Sequence, residues 1–271
     1  MKDIERQMQR AVGLHKSGSL AEAGRLYEAI LASGRRDFEI LHMLGILNYQ
    51  RGAHETAYRL LAEALDLNQS SAPACSNRGL VLQALRRYDE ALESYDRALA
   101  LDARHAEVHN NRGNALAALK RHDQALASYE RAIEINPLSA LAHNNRGNVL
   151  KALGRLDEAV ASYDRAIEIK PDYIDASSNR ALAMVALNRA GEALASYDRI
   201  IALKPDLAIA HNGRGNLLRH LNRFDEAFGS YNRALALDPD LAEAHNSRGF
   251  FAKGSPALHR SAGKFRGGNL A

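Results

Sequence analysis

Cysteine is almost missing from this chain: Cys75 is the only one in 271 residues. No intrachain disulfide can form, which fits a reducing compartment. No run approaches the roughly 18 consecutive apolar residues of a membrane-spanning helix. Met1 to Leu20 contains no apolar core of the kind a secretory signal carries. These absences predict a soluble, cytoplasmic protein with no membrane partner. Acidic residues are missing from 251–271, which hold Lys253, Arg260, Lys264 and Arg266. Those four account for the whole formal charge of +4, so residues 1–250 carry none. Binding to nucleic acid draws on a basic stripe along the fold, so no nucleic-acid partner is expected. The basic, glycine-rich segment 254–271 is expected to be a disordered tail. Phosphate-binding loops and nucleophile elbows are also absent. We therefore expect no catalytic residue, cofactor, metal or small-molecule substrate, and read the chain as not an enzyme.

What the chain does have is a period of 34. Alanine recurs at Ala23, Ala57, Ala91, Ala125, Ala159, Ala193 and Ala227 without insertion or deletion. In phase with it run Ala11, Gly45, Gly79, Gly113, Gly147, Ala181, Gly215 and Gly249, and Tyr27, Leu61, Tyr95, Tyr129, Tyr163, Tyr197 and Tyr231. A fixed period of 20–50 residues marks a solenoid, in which each repeat packs on its neighbours. Counting position 1 seven residues before each Gly/Ala of the second ladder gives seven repeats: 4–37, 38–71, 72–105, 106–139, 140–173, 174–207 and 208–241. A half repeat follows over 242–253.

Each repeat contains two apolar-periodic stretches of helical spacing, such as Ala140 to Leu153 and Leu156 to Ile169 in the fifth. The break between them falls at position 15: Gly18, Gly52, Arg86, Lys120, Gly154, Asn188 and Asn222. Glycine and asparagine tolerate the left-handed turn that ends a helix, whereas Arg86 and Lys120 must accept strain or a different turn. Asp89, Asp123, Asp157 and Asp225 fall in the first turn of the second helix, where the dipole favours them. Pro137, Pro171, Pro205 and Pro239 push the preceding residue out of the α region. The first three repeats lack that proline, so stiffer loops are expected only later in the chain. The sixth repeat departs most, with Ala181 for Gly, Ile200 for Ala and an early Gly191. Local loosening is expected there.

These registers resemble the tetratricopeptide repeat family: Gly or Ala at position 8, Ala at 20, an aromatic at 24, Ala at 27 and Pro at 32. The resemblance implies an all-α, right-handed α-solenoid of tandem helix–turn–helix repeats over 4–253. It also implies that the first helix of each repeat lines a concave face.

On those first helices asparagine is frequent, although it is a poor helix residue. Position 5 holds Asn110, Asn144 and Asn212; position 6 holds Asn77, Asn111, Asn145 and Asn179; position 9 holds Asn114, Asn148 and Asn216. The amide offers an acceptor and two donors, suited to the backbone of an extended peptide. The position-6 column is similar to the asparagine ladder of protein O-glycosyltransferase superhelices, and that resemblance implies a backbone-gripping role. It fails at Gly213 and Ser247. The same amides also suit bonding between adjacent repeats, and the two roles are compatible. A carboxylate clamp of the chaperone-binding kind is not expected, because position 5 carries no base.

Position 7 is arginine in Arg78, Arg112, Arg146, Arg180, Arg214 and Arg248. An ion pair with the position-25 acid of the same repeat (Asp96, Glu130, Asp164, Asp198) explains it better than an anion stripe. His109, His143, His211 and His245 recur at position 4. Repeats stack at helix-layer spacings of about 10 Å, too far for a shared metal, so these histidines are expected to pack between repeats.

The expected function is a non-catalytic scaffold that binds a protein or peptide in an Asn-lined groove. An alternative is the substrate-recognition arm of a protein O-glycosyltransferase whose catalytic domain is absent from the chain. The opening repeats resemble the start of bacterial repeat-plus-transferase chains.

Overall fold

The computed structural model describes residues 2–254, with side chains described between 4 and 249. The tail expected over 254–271 lies, beyond Gly254, outside the described residues. Fifteen helices and no strand occur among the described residues. The first helices of the repeats are α1 (Lys2–Lys16), α3 (Phe38–Gln50), α5 (Ala72–Ala84), α7 (Ala106–Ala118), α9 (Ala140–Ala152), α11 (Ile174–Ala186), α13 (Ala208–His220) and α15 (Ala242–Gly254). The second helices are α2 (Leu20–Ala32), α4 (His54–Leu67), α6 (Tyr88–Leu101), α8 (His122–Ile135), α10 (Leu156–Ile169), α12 (Ala190–Leu203) and α14 (Phe224–Leu237). From the second repeat onward, every first helix begins at position 1 and every second helix at position 17. The fold is an all-α repeat solenoid. Its helices form two compact units, one ending at Ala142 and one beginning at His143. None of the described helices is long and apolar enough to cross a membrane.

The turn at position 15 is left-handed in all seven repeats. Arg86, Lys120, Asn188 and Asn222 have φ of 57–59°, and Gly18, Gly52 and Gly154 have φ of 74–82°. Arg86 and Lys120 thus adopt the strained conformation rather than a different turn. From the second repeat onward the backbone leaves the second helix extended, at φ −130° and ψ 91° for Lys170 before Pro171; in the first repeat Ser33 stays helical at φ −72° and ψ 0°, and Gly34 turns left-handed at φ 91°. Asn68 and Asp102 leave at −141° and 92° without a following proline. The turn geometry therefore does not need the proline, which only restricts the unfolded chain further.

Packing between the two helices of a repeat rests on the position-8 glycine. A Cβ on Gly79, Gly113, Gly147 or Gly215 would lie 2.4–2.7 Å from Cε1 of the position-24 tyrosine of the same repeat. The rings of Tyr95, Tyr129, Tyr163 and Tyr231 occupy that space and are buried. In the sixth repeat Ala181 fills it instead. The Tyr197 ring there lies against Gly213 of the next repeat, where a Cβ would fall 2.5 Å from its Cε1. Tyr197 is only half-buried.

Candidate functional site

The asparagines divide into layers. Asn110, Asn144 and Asn212 at position 5 are buried at 3–5% exposure, as is Asn111 at 8%. Asn77, Asn114, Asn145, Asn148, Asn179 and Asn216 are half-buried. In each unit one position-6 asparagine meets position 5 of the repeat before it. Asn77 Nδ2 lies 3.0 Å from His42 Nε2 in the first unit, and Asn179 Nδ2 donates to Asn144 Oδ1 at 3.2 Å in the second. Within a repeat, Asn110 donates to Asn111 and Asn144 to Asn145, both at 3.4 Å. Burial lowers the pKa of His42, which keeps the ring neutral beside Asn77.

Position 9 has a separate cause. Tyr129, Tyr163 and Tyr231 donate their hydroxyls to Oδ1 of Asn114, Asn148 and Asn216 at 2.8–2.9 Å. In the third repeat position 9 is Leu80, and Tyr95 reaches Gln83 Oε1 at 3.1 Å instead. In the sixth it is Leu182, 51% exposed, and the Tyr197 ring has left. The asparagine is present where a buried hydroxyl needs an acceptor at that place. One cation joins this row: Lys151 Nζ donates to Asn179 Oδ1 at 3.4 Å, and burial lowers its pKa.

The position-7 arginines are structural, but their ion pairs run between repeats. Arg112 Nε donates to Asp96, Arg180 to Asp164 and Arg214 to Asp198, each acid belonging to the preceding repeat. Arg214 is therefore not left with Asn232, which accepts from Arg248. The other end of the guanidinium goes to the position-23 serine of its own repeat, as in Arg112 to Ser128 at 2.8 Å and Arg180 to Ser196 at 2.7 Å. Sequence reasoning missed this serine column (Ser94, Ser128, Ser162, Ser196, Ser230), although its period was visible.

The position-4 histidines tie a first helix to the loop before it. Nε2 of His109, His211 and His245 lies 2.8–3.1 Å from the position-32 carbonyl of the preceding repeat, at Ala103, Pro205 and Pro239. The third and sixth repeats have Cys75 and Ser177 at this position. There the position-26 arginine takes the carbonyl: Arg97 donates to Gln69 O at 3.0 Å and Arg199 to Pro171 O at 3.4 Å.

Helix pairs stacked in this way define a class of repeat scaffolds. Family models described as tetratricopeptide repeat match residues 72–105, 106–137 and 128–161, and one described as TPR repeat matches 147–188 and 215–254. Together they span more than half the chain, which belongs to the tetratricopeptide repeat family. The family's fold serves generally as a non-enzymatic scaffold for protein–protein interaction. No curated protein matches the chain. Among solved structures it is similar to the C-terminal part of a TPR protein from Cytophaga hutchinsonii, at 17% identity over 89% of this chain and 98% of that one, TM-score 0.71. It is also similar to PilF of Pseudomonas aeruginosa, at 24% identity over 80% and 97%, TM-score 0.66. A third is YrrB, described as a TPR protein with an unusual peptide-binding site, at 21% identity over 69% and 97%, TM-score 0.57. These likenesses concern the fold.

Proposed function

We propose that the chain holds an extended peptide segment of a partner protein along the asparagines of its first helices. Asn145, Asn148, Asn179 and Asn216 serve in the second unit, and Asn77 and Asn114 in the first; Asn111 is buried and supports them. The buried position-5 amides (Asn110, Asn144, Asn212) fix the row from beneath and do not meet the guest. One observation carries the reading. Asn148 and Asn216 present Oδ1 to a tyrosine hydroxyl, which fixes the amide and turns its N–H donors away from the ring. Amide donors held in this way suit the carbonyls of an extended backbone without reading its side chains.

The test is Asn148→Asp with Asn216→Asp. Aspartate keeps an acceptor for the tyrosine but removes both donors. Binding to an array of overlapping peptides is expected to fall about tenfold, from two hydrogen bonds of about 0.5–1.5 kcal/mol each. An unchanged set of bound peptides with an intact fold would refute it.

A further inference from the structure

Between α10, α11 and α12 of the second unit lies a cavity of about 230 Å³, lined by Asp164, Ile167, Ser177, Arg180, Ser196 and Arg199. We propose that it binds a single carboxylate group, with Arg199 and Ser177 as donors. The site is separate from the asparagine row.

Sibling repeats explain why the space exists. His109 and His211 place a ring at position 4, and that ring takes the position-32 carbonyl. Ser177 stands there in the sixth repeat and is too short to fill the place. Its hydroxyl is 1% exposed and lacks a hydrogen-bond partner among the described residues. Buried polar atoms without partners are uncommon in native folds and point to a missing ligand or water. Arg199 donates once, at 3.4 Å, to Pro171 O, a long contact for an N–H···O bond. Most of its five N–H donors remain for a guest.

The charge balance selects the guest. Arg180 is held by Asp164 and Ser196, so its charge is largely offset. Arg199 leaves one net positive charge at the cavity. That suits a singly charged carboxylate in the bidentate geometry a guanidinium favours. A dianionic phosphate would face Asp164 with its second charge unpaired.

The source is either an acidic side chain of a partner or a free small acid, and both are tested. The probes are a glutamate flanked by alanines in a peptide with acetylated and amidated ends, free butyrate, and inorganic phosphate. Binding is followed by the NMR shifts of residues 174–207. The blocking variant is Ser177→His, which restores the residue of the sibling repeats and so fills the cavity without breaking the fold. The second variant is Arg199→Gln. Saturable binding of a carboxylate probe is expected, lost in Ser177→His and weakened roughly tenfold or more in Arg199→Gln, since a hydrogen bond to a charged group is lost. Tighter binding of the peptide assigns the site to a partner's side chain, and tighter binding of butyrate to a free acid. No saturable binding overturns the proposal. So does equal binding by Ser177→His, or phosphate binding as well as the carboxylates.

Discussion

The sixth repeat breaks two ladders at once, and the two breaks are coupled through one ring. Ala181 occupies the space that glycine leaves for the tyrosine elsewhere, and Gly213 provides the space that Tyr197 now uses. Gly213→Asn restores the asparagine column but drives a Cβ to 2.5 Å from Tyr197 Cε1. Overpacking of this kind costs about 1–3 kcal/mol, offset by about 0.5 kcal/mol from removing a helical glycine. Ala181→Gly alone costs about 1–2 kcal/mol, from helix propensity and one lost buried methyl.

Made together, the two substitutions let the Tyr197 ring return to its own repeat, as Tyr163 lies on Gly147. The asparagine then no longer meets it. The double variant is expected to be less destabilised than the sum of the singles by about 1–2 kcal/mol, within the range for residues sharing a contact. Adding Leu182→Asn supplies the acceptor that the returning hydroxyl lacks and recovers about 1 kcal/mol more. Urea midpoints of all the chains, compared at unchanged m-value, measure this. Additivity within about 0.5 kcal/mol would show that the two breaks are independent, and the packing argument would fail.

Three further outcomes follow from the same packing. Lys120 has φ 58°, so Lys120→Gly should raise stability by about 0.5 kcal/mol, the left-handed strain being partly offset by the freer unfolded chain; a lower urea midpoint would contradict it. Tyr163→Phe should cost about 1 kcal/mol by leaving Asn148 Oδ1 without its donor, whereas Tyr197→Phe, whose hydroxyl has no asparagine beneath it, should cost less in the same thermal melts. Burial pushes the Tyr27 pKa up to about 12, and burial likewise raises Tyr95 and Tyr129 above the ordinary value of 10. The folded state thus holds these protons longer than the unfolded state, so their stabilisation is complete below pH 10 and is lost as pH rises toward 12 and beyond. The last phenolates to form and the loss of helical circular dichroism should coincide in that range, and ionisation of all ten tyrosines with helicity intact would refute it.

Helix limits were legible because the apolar period holds in every repeat and Gly or Asn marks the break in five of the seven. Ala140 and Leu156 are the observed starts of α9 and α10, and position 15 is left-handed even where arginine or lysine stands. Pairing partners were less legible. A position-7 arginine lies 18 residues before the acid of its own repeat and 16 after that of the preceding one. Both acids belong to the same ladder, so periodicity cannot separate them. Stacking decides for the preceding repeat, as Arg214 and Asp198 show. The layering of the asparagines was hidden for a similar reason. The asparagines at positions 5, 6 and 9 look alike in sequence, yet Asn110 and Asn144 are buried while Asn148 and Asn179 are half-buried.

Departures from the repeat carry the functional information that its regularity conceals. A register repeated seven times is first explained by what the stack needs. The position-8 glycine admits a ring, the position-9 asparagine accepts its hydroxyl, and the position-7 arginine ties two repeats. Where one member changes and its partners compensate, the change is neutral packing, as with Ala181 and Gly213. Position 4 in the third repeat is compensated too, because buried Cys75 occupies the place and Arg97 takes the Gln69 carbonyl at 3.0 Å. In the sixth repeat the same exchange is incomplete. Arg199 reaches its carbonyl at only 3.4 Å, the Ser177 hydroxyl has no partner among the described residues, and a cavity is left. An uncompensated departure costs stability unless something else fills it, which is why the sixth repeat, rather than the more regular fourth or fifth, is where a guest's chemistry should be sought.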